Sequence, residues 1–148
     1  MTVAELQPGY EEVFTVTDYY DGPRKGVANF RGQPHFYDCL FNQANSEYSD
    51  LYHLTPLPDR IFELAKEDWA IWKKWEAVFH SGGTTIESHP ALPQDRARHE
   101  EIRAILDSAL TTNVAVCVTQ RGSFARLGSE EYPKGVIRPL QVRWTDAA

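Results

Sequence analysis

The side chains best suited to nucleophilic or metal chemistry are two cysteines and five histidines, which are dispersed along the chain. A thiol needs a neighbouring imidazole to act as a nucleophile, and a metal ion needs several ligands that point to one place. The densest group is His35, Asp38 and Cys39. On a strand, His35 and Cys39 point to one side and Asp38 to the other, so the three cannot bind one ion without a bulge. We therefore predict no metal site and no cofactor, and buried reduced thiols at Cys39 and Cys117.

The short motifs that mark the common enzyme classes are missing from the sequence. It has no Gly-x-Ser-x-Gly turn, no glycine-rich phosphate loop, no His-Glu-x-x-His and no Cys-x-x-Cys pair. A thiol and a histidine distant in sequence could still meet in the fold, although no spacing places them together. Whether the protein is an enzyme is therefore left open.

One acid stands out because of its position on a predicted helix. Projected at 100° per residue, Asp68 falls in the middle of an apolar face, between Leu64, Trp72 and Trp75. Burying an unpaired carboxylate costs on the order of several kcal/mol. We therefore expect Asp68 to be protonated, to be hydrogen-bonded, or to be paired with an arginine such as Arg98 or Arg138. The structural interpretation is a satisfied buried acid. The functional alternative is a pocket lined by Asp68, Trp69 and Trp72.

Tyrosine is concentrated in the first 52 residues, which hold six of the seven. Tyrosine offers a large, rigid contact area with a polar tip and is enriched at protein interfaces, although it also simply suits strands. Tyr19 and Tyr20 are adjacent, so on a strand they point to opposite faces and at least one ring should stay accessible. The predicted binding surface consists of Tyr19, Tyr20, Asp21, Arg24 and Tyr37.

The charge distribution indicates the class of partner. The net charge is −6, and residues 1–56 hold eight acids and three bases, whereas residues 113–148 hold three acids and five bases. An acidic first third disfavours nucleic acid and favours a basic protein surface. The chain has no signal-peptide pattern and no apolar run long enough for a membrane span, so we expect a soluble cytoplasmic protein without a membrane partner.

Hydrophobic periodicity predicts the elements that must position these residues. Period-two alternation predicts strands at 13–20, 27–30, 35–41 and 48–54, and helical periodicity predicts a long tryptophan-rich helix from Pro58 to His80 and a shorter one over 95–110. A strand at 114–118, a turn at Arg121-Gly122, a continuation to Leu127 and a strand at 136–144 should follow. Pro139 lacks an N–H, so the last strand should lie at an edge or carry a bulge, and a homo-oligomer could form through such an edge.

Together these elements predict one α+β domain over residues 1–148. Its antiparallel sheet or partial β-barrel would be built from the N- and C-terminal strands and packed against the two helices. The leading functional hypothesis is a non-enzymatic protein-binding module of the inhibitor, immunity or adaptor type. The alternative is a small enzyme or ligand-binding protein with a pocket between the sheet and the long helix, around Asp68 and Trp72.

Overall fold

The computed structural model describes residues 5–147, which fall into two compact units. The barrel unit comprises the described residues up to Leu57 and from Thr112 onward, and the helical unit comprises Pro58–Thr111. The helical unit is therefore an insertion between two successive strands of the barrel unit. The expectation of one domain over the whole chain stays a prediction.

Six antiparallel strands form a closed barrel in which spatial order follows chain order. Closure comes from the pairing of the first and last strands through Glu11 with Val142 and Glu12 with Gln141. An α+β protein with a barrel-like sheet built from N- and C-terminal strands is thereby confirmed. The strands are β1 (Glu11–Tyr19), β2 (Pro23–Phe30), β3 (Gln33–Asn42), β4 (Glu47–Pro56), β5 (Val118–Arg126) and β6 (Leu140–Asp146).

Closure also bears on the idea of an oligomer formed through an edge strand. Each of β1–β6 is hydrogen-bonded to a neighbouring strand on both of its sides. None of the described strands is therefore an edge strand. The open edge on which that idea depended is thus removed from the described part of the barrel. The oligomeric state itself stays a prediction.

Aromatic rings fill the barrel interior. Tyr37 has no exposed surface, and its ring lies 6.0 Å from the ring of Tyr52, 5.4 Å from that of Phe124 and 6.3 Å from that of Trp144. The polar ends of these rings are satisfied by main-chain carbonyls: the Tyr37 hydroxyl donates to Thr15 O, the Tyr52 hydroxyl to Pro23 O and Trp144 Nε1 to Asn29 O, each at 2.8 Å. Large aromatic side chains can therefore be buried here without leaving an unpaired donor.

Gly122 provides room for these rings, and its predicted role as a turn residue is wrong. It lies within β5, opposite Trp144 on β6. A Cβ atom at this position would stand 2.6 Å from a ring carbon of Trp144 and 2.9 Å from ring carbons of Tyr52. A glycine inside a strand can mark a close approach as well as a turn, and the pattern alone does not separate the two.

The strand predicted at 114–118 is wrong over most of its length, because residues 114–116 form a turn and only Val118 belongs to a strand, as the first residue of β5. Asn113 organises the turn: its main-chain oxygen accepts hydrogen bonds from Val116 N at 3.1 Å and Cys117 N at 2.8 Å. Its side-chain oxygen accepts from Ala115 N at 3.1 Å. An asparagine that bonds its own following backbone competes with sheet pairing, which overrides the alternation of valines.

The last strand is shorter than predicted. β6 begins at Leu140, directly after Pro139, so the proline lies outside the ladder instead of at an edge or a bulge within it. The carbonyl of Pro139 still accepts a hydrogen bond from Leu127 N at 2.9 Å, immediately beyond the end of β5. The proline therefore marks the start of the strand, a position at which its missing N–H costs nothing.

The helical unit contains α1 (Asp59–His80), α2 (Arg96–Ala109) and two short 3-10 turns, Ile86–Ser88 and Pro93–Asp95. Trp75 is buried, stacks on Phe79 with ring centroids 4.9 Å apart, and donates from Nε1 to Ser88 Oγ at 2.7 Å. The tryptophan thus ties α1 to the segment that follows it. Within residues 5–147, neither helix is long and apolar enough to cross a membrane. Packing of α1 against the sheet stays a prediction.

We expect Gly122→Ala to lower the free energy of unfolding by about 1–3 kcal/mol, because overpacking against two rings outweighs the roughly 0.4–1 kcal/mol gained from a less flexible unfolded chain. Denaturant unfolding measures the change. Ser123→Ala, at the exposed neighbouring position of β5, should change stability by less than about 0.5 kcal/mol. Equal stabilities of the two variants would contradict the close approach of the rings.

We expect the barrel to lose stability in alkaline solution. Burial is the main cause that raises the pKa of Tyr37 and of Tyr52 above the ordinary value. Above about pH 10 these tyrosines lose protons in the unfolded chain but keep them in the folded one, so the stabilisation is fully present below that pH and falls as pH rises. Unfolding followed between pH 8 and pH 11 should show a shallower decline for Tyr52→Phe than for the wild type. Tyr19→Phe, at an exposed position, should match the wild type; a decline unchanged by Tyr52→Phe would contradict the assignment.

Candidate functional site

Four of the five predicted surface residues, all except Tyr37, lie at a tight turn between β1 and β2. Tyr19 pairs with Pro23, and Tyr20, Asp21 and Gly22 connect the two strands. Asp21 has a φ of 53° and Gly22 a φ of 136°, values that glycine adopts freely and that aspartate tolerates better than most residues. The Asp-Gly pair is therefore what allows the chain to reverse at this point.

The guanidinium group of Arg24 holds this turn by hydrogen bonds to its main-chain carbonyls. Its Nε donates to Tyr20 O at 2.7 Å, and its Nη2 donates to Asp21 O at 2.8 Å. The third nitrogen, Nη1, lies 3.6 Å from Cys39 Sγ, and the guanidinium stands 4.4 Å from the centre of the Tyr48 ring. All three nitrogens are thus engaged within the protein. Arg24 therefore positions the turn, and its expected contact with a partner stays a prediction.

Both tyrosines at the turn are exposed to solvent. Tyr19 is 58% exposed and Tyr20 is 71% exposed, which exceeds the expectation that at least one ring would be accessible. The Tyr20 ring lies 6.3 Å from the ring of Tyr48, and Tyr48 meets Phe41 edge-on at 5.0 Å. Phe41 is itself 42% exposed. We name these four residues, Tyr19, Tyr20, Phe41 and Tyr48, the aromatic patch.

Phe41 and Tyr48 were not among the predicted surface residues, although the hairpin between β3 and β4 contained the signal. The polar loop that joins these strands places Phe41 directly opposite Tyr48 in the ladder. Tyr48 also packs against the barrel core, which anchors the patch to a rigid element. Reading the register of that hairpin would have identified both residues.

Tyr37 cannot contact a partner at this surface. It lies on β3 with its ring inside the closed barrel and no exposed area. Alternation along β3 groups Tyr37 with Cys39, and that face is the interior one, because both are buried in the core cluster. The sequence pattern identifies the two faces of the strand but not which face the barrel encloses.

The acids around the patch are exposed, as a partner with a basic surface would require. Asp18 and Asp21 flank the two tyrosines of the turn, and Glu47 precedes Tyr48; all three are exposed. Lys25 lies opposite Asp18 in the ladder, so the local charge is mixed. Asp50 is already committed, since both its carboxylate oxygens accept from Arg121 Nη1 at 2.7 Å.

The residues of the alternative site lie in the helical unit. Asp68 Oδ1 is 2.7 Å from His99 Nδ1, and each side chain is 14% exposed. Arg103 Nη1 stands 3.9 Å from the other carboxylate oxygen of Asp68. Asp68 thus has a donor, but neither expected arginine provides it. Arg98 instead pairs with Glu67, through Nε and Nη2.

This pair resembles the arrangement that orients a histidine in many active sites. The carboxylate accepts the proton on Nδ1 and leaves Nε2 as the nitrogen able to accept another proton. His99 could have been anticipated, since it lies at the edge of the apolar stripe of α2. Trp69 and Trp72 are in contact, with ring centroids 5.0 Å apart, and Lys73 Nζ lies 6.0 Å and 5.6 Å from their centres.

The residues considered for metal binding have separate partners. His35 Nδ1 lies 2.8 Å from Gln33 O, Asp38 accepts a hydrogen bond from Thr112 Oγ1 at 3.0 Å, and Cys39 donates to Ser49 O at 3.2 Å. Burial raises the pKa of the Cys39 thiol, partly offset by the hydrogen bond from Arg24. No group of three or more potential metal ligands converges within residues 5–147.

Comparison with known proteins does not place the chain in a group. No family model matches it, and no curated protein or solved structure matches it either. Function must therefore be argued from the geometry of the site itself.

We expect Arg24→Lys to loosen the turn, because a lysine retains the charge but cannot donate to Tyr20 O and Asp21 O while stacking on Tyr48. The free energy of unfolding should fall by about 1–3 kcal/mol, and exchange of the Tyr20 amide hydrogen should accelerate, since that amide bonds Gly22 O across the turn. Arg31→Lys makes the same change at the β2–β3 turn, where the guanidinium lies 5.0 Å from the Phe30 ring. It should alter stability by less than about 0.5 kcal/mol. Unchanged exchange at Tyr20 in Arg24→Lys would contradict the positioning role.

Proposed function

We propose that this protein is a non-enzymatic binding module of the inhibitor, immunity or adaptor type, and that its aromatic patch recognises a protein with a locally basic surface. One observation carries the proposal: two exposed tyrosines project from a turn whose backbone is held by the side chain of Arg24. Exposed aromatic rings in one cluster are uncommon on a surface that has no partner.

Rigidity is the first argument for binding. Association costs free energy whenever flexible groups become ordered, so residues already held in place give more affinity for the same contact area. Tyr20 is attached to a turn with two charge-assisted hydrogen bonds beneath it, and Tyr48 is fixed in the barrel core. Tyrosine itself loses little conformational freedom because it has only two side-chain torsions.

Charge is the second argument. Asp18, Asp21 and Glu47 are exposed beside the aromatic rings. Aromatic residues at the centre of an interface provide affinity, whereas charges at its rim raise the rate of association and reject partners of the wrong sign. A partner with lysine or arginine around an apolar recess fits this arrangement.

A second candidate function is that of a small enzyme or ligand-binding protein, favoured by the Asp68–His99 pair. A carboxylate and an imidazole 2.7 Å apart could orient a general base in the helical unit. The same geometry also satisfies a buried acid without any further role, which is the commoner reason for such a pair. The aromatic patch has no comparable structural necessity, so we place the binding function first.

The proposal is tested by comparing the proteins captured from the native host by the wild type and by three folded variants, Tyr19→Ala, Tyr20→Ala and Asp21→Lys. We expect at least one specific protein whose binding to Tyr20→Ala is weakened tenfold or more, about 1.4 kcal/mol. Asp21→Lys should chiefly slow association, most strongly at low ionic strength. Biolayer interferometry with the purified partner measures the rates of association and dissociation.

Two control variants change similar groups elsewhere. Ile86→Ala removes an exposed apolar side chain from the helical unit, and Glu130→Lys reverses an exposed charge between β5 and β6. Neither should weaken binding. If no captured protein distinguishes the three patch variants from these controls, the assignment of the patch is wrong. A small molecule that co-purifies with the wild type but not with Asp68→Asn would then favour the second candidate function, a small enzyme or ligand-binding protein.

A further inference from the structure

A thiol and an imidazole meet on the outside of the barrel, where the sequence showed no spacing that would bring them together. Cys117 Sγ lies 3.7 Å from His53 Nδ1, and both residues are half-buried. The same ring nitrogen is 3.2 Å from Thr119 Oγ1. Cys117 and Thr119 lie 64 and 66 positions from His53 in the chain, so only the folded barrel brings the three residues together.

The barrel determines where the imidazole points. His53 lies on β4 between Tyr52 and Leu54, whose side chains belong to the interior cluster. Because side chains alternate along a strand, His53 faces outward. In the ladder it pairs with Asp38 on β3 and with Thr119 on β5, so Thr119 is its direct neighbour on the outer surface.

The Asn113 turn determines where the thiol points. Cys117 N donates to Asn113 O at 2.8 Å, and Asn113 N in turn donates to Thr55 Oγ1 on β4 at 3.1 Å. The turn is therefore attached to the strand that carries His53. Cys117 and Thr119 are two positions apart, so both lie on the His53 side as the chain enters β5. The turn at 114–116, where a strand was predicted, is thus what places the thiol.

We propose that Cys117 and His53 form a nucleophile–base pair, and that Cys117 is a site of covalent addition to electrophilic alkenes conjugated with a carbonyl group. A thiol is weakly nucleophilic until it loses its proton, and an imidazole within hydrogen-bond reach is the usual group that accepts it. Once Nδ1 carries the proton it can donate to Thr119 Oγ1, 3.2 Å away, so this hydroxyl stabilises the imidazolium that forms when the proton moves. Polarisable sulfur reacts preferentially with this class of carbon electrophile.

The addition needs only the two groups that the site provides. His53 Nδ1 accepts the Cys117 proton while the sulfur electron pair forms a bond to the β-carbon of the alkene. The π electrons move to the α-carbon as an enolate, which then takes the proton from His53 Nδ1. The product contains one new S–C bond and one new C–H bond, and the imidazole returns to its neutral form. No oxidant, reductant or leaving group takes part.

Cys39 provides an internal reference in the same molecule. It is buried, it donates to Ser49 O at 3.2 Å, and burial raises the pKa of its thiol. It should therefore react slowly whatever happens at Cys117. Any variant that opens the barrel as a whole would accelerate Cys39, so the rate at Cys39 reports the integrity of the fold during the reaction.

The test uses N-ethylmaleimide, an activated alkene, on the full chain at neutral pH, with the adducts at Cys117 and Cys39 quantified separately by peptide mass spectrometry. We expect His53→Gln to slow addition at Cys117 by about tenfold or more, while the rate at Cys39 is unchanged. His80→Gln removes an exposed imidazole at the end of α1 and should leave both rates unchanged. Equal rates at Cys117 in the wild type and His53→Gln would overturn the proposal.

Thr119 gives a second test that retains the histidine, for use if His53→Gln fails to fold. Thr119→Val removes the hydroxyl that contacts His53 Nδ1 while keeping the shape of the side chain. Addition at Cys117 should slow several-fold, and Thr119→Ser should restore the wild-type rate. If Thr119→Val reacts as fast as the wild type, no imidazolium forms beside this hydroxyl during addition, and the nucleophile–base assignment is wrong.

Discussion

The packing of aromatic rings inside a closed six-stranded barrel is the constraint on which the barrel unit depends. Tyr37 is fully enclosed and is surrounded by Tyr52, Phe124 and Trp144. Two glycines make room for these rings: a Cβ atom at Gly122 would stand 2.6 Å from Trp144 and 2.9 Å from Tyr52, and one at Gly26 would stand 2.7 Å from a ring carbon of Tyr37. The polar ends of Tyr37, Tyr52 and Trp144 reach main-chain carbonyls, so these rings fill the interior without leaving their own donors unpaired.

The Arg24 side chain links the barrel interior to the exposed turn between β1 and β2. One of its nitrogens contacts the interior thiol of Cys39, and the other two hold the carbonyls of the turn that bears Tyr20. An exposed turn would ordinarily be among the more mobile parts of a barrel. Here the guanidinium fixes it, and that rigidity is the physical reason why the aromatic patch suits recognition better than a flexible loop with the same composition.

The outer surface of the barrel holds two chemically distinct features. The aromatic patch combines exposed rings with acids and is suited to a protein surface. The Cys117–His53 pair lies where β4 meets the start of β5 and is suited to a reactive small molecule. They involve different strand ends, and they make different demands: the patch requires a fixed backbone, whereas the pair requires a fixed imidazole. The Asp68–His99 pair belongs to the helical unit.

The sequence by itself determined the elements whose signals are local. Alternation of apolar and polar residues located β1–β4 to within a few residues, and the Asp-Gly pair marked the turn on which Tyr20 stands. Local patterns succeed where the side chains within one segment decide its conformation. They also indicated that Asp68 needs a donor, because that requirement follows from burial alone.

Only the tertiary structure decided which residues meet. Gly122 was taken for a turn because the rings that require it come from β4 and β6, distant in sequence. Val114 and Val116 were taken for strand residues because an alternating pattern does not reveal the hydrogen bonds of Asn113. Tyr37 was placed on the surface because alternation does not say which face a barrel encloses. Cys117 and His53 come together only because strand pairing brings residues 64 positions apart into contact, which no local pattern encodes.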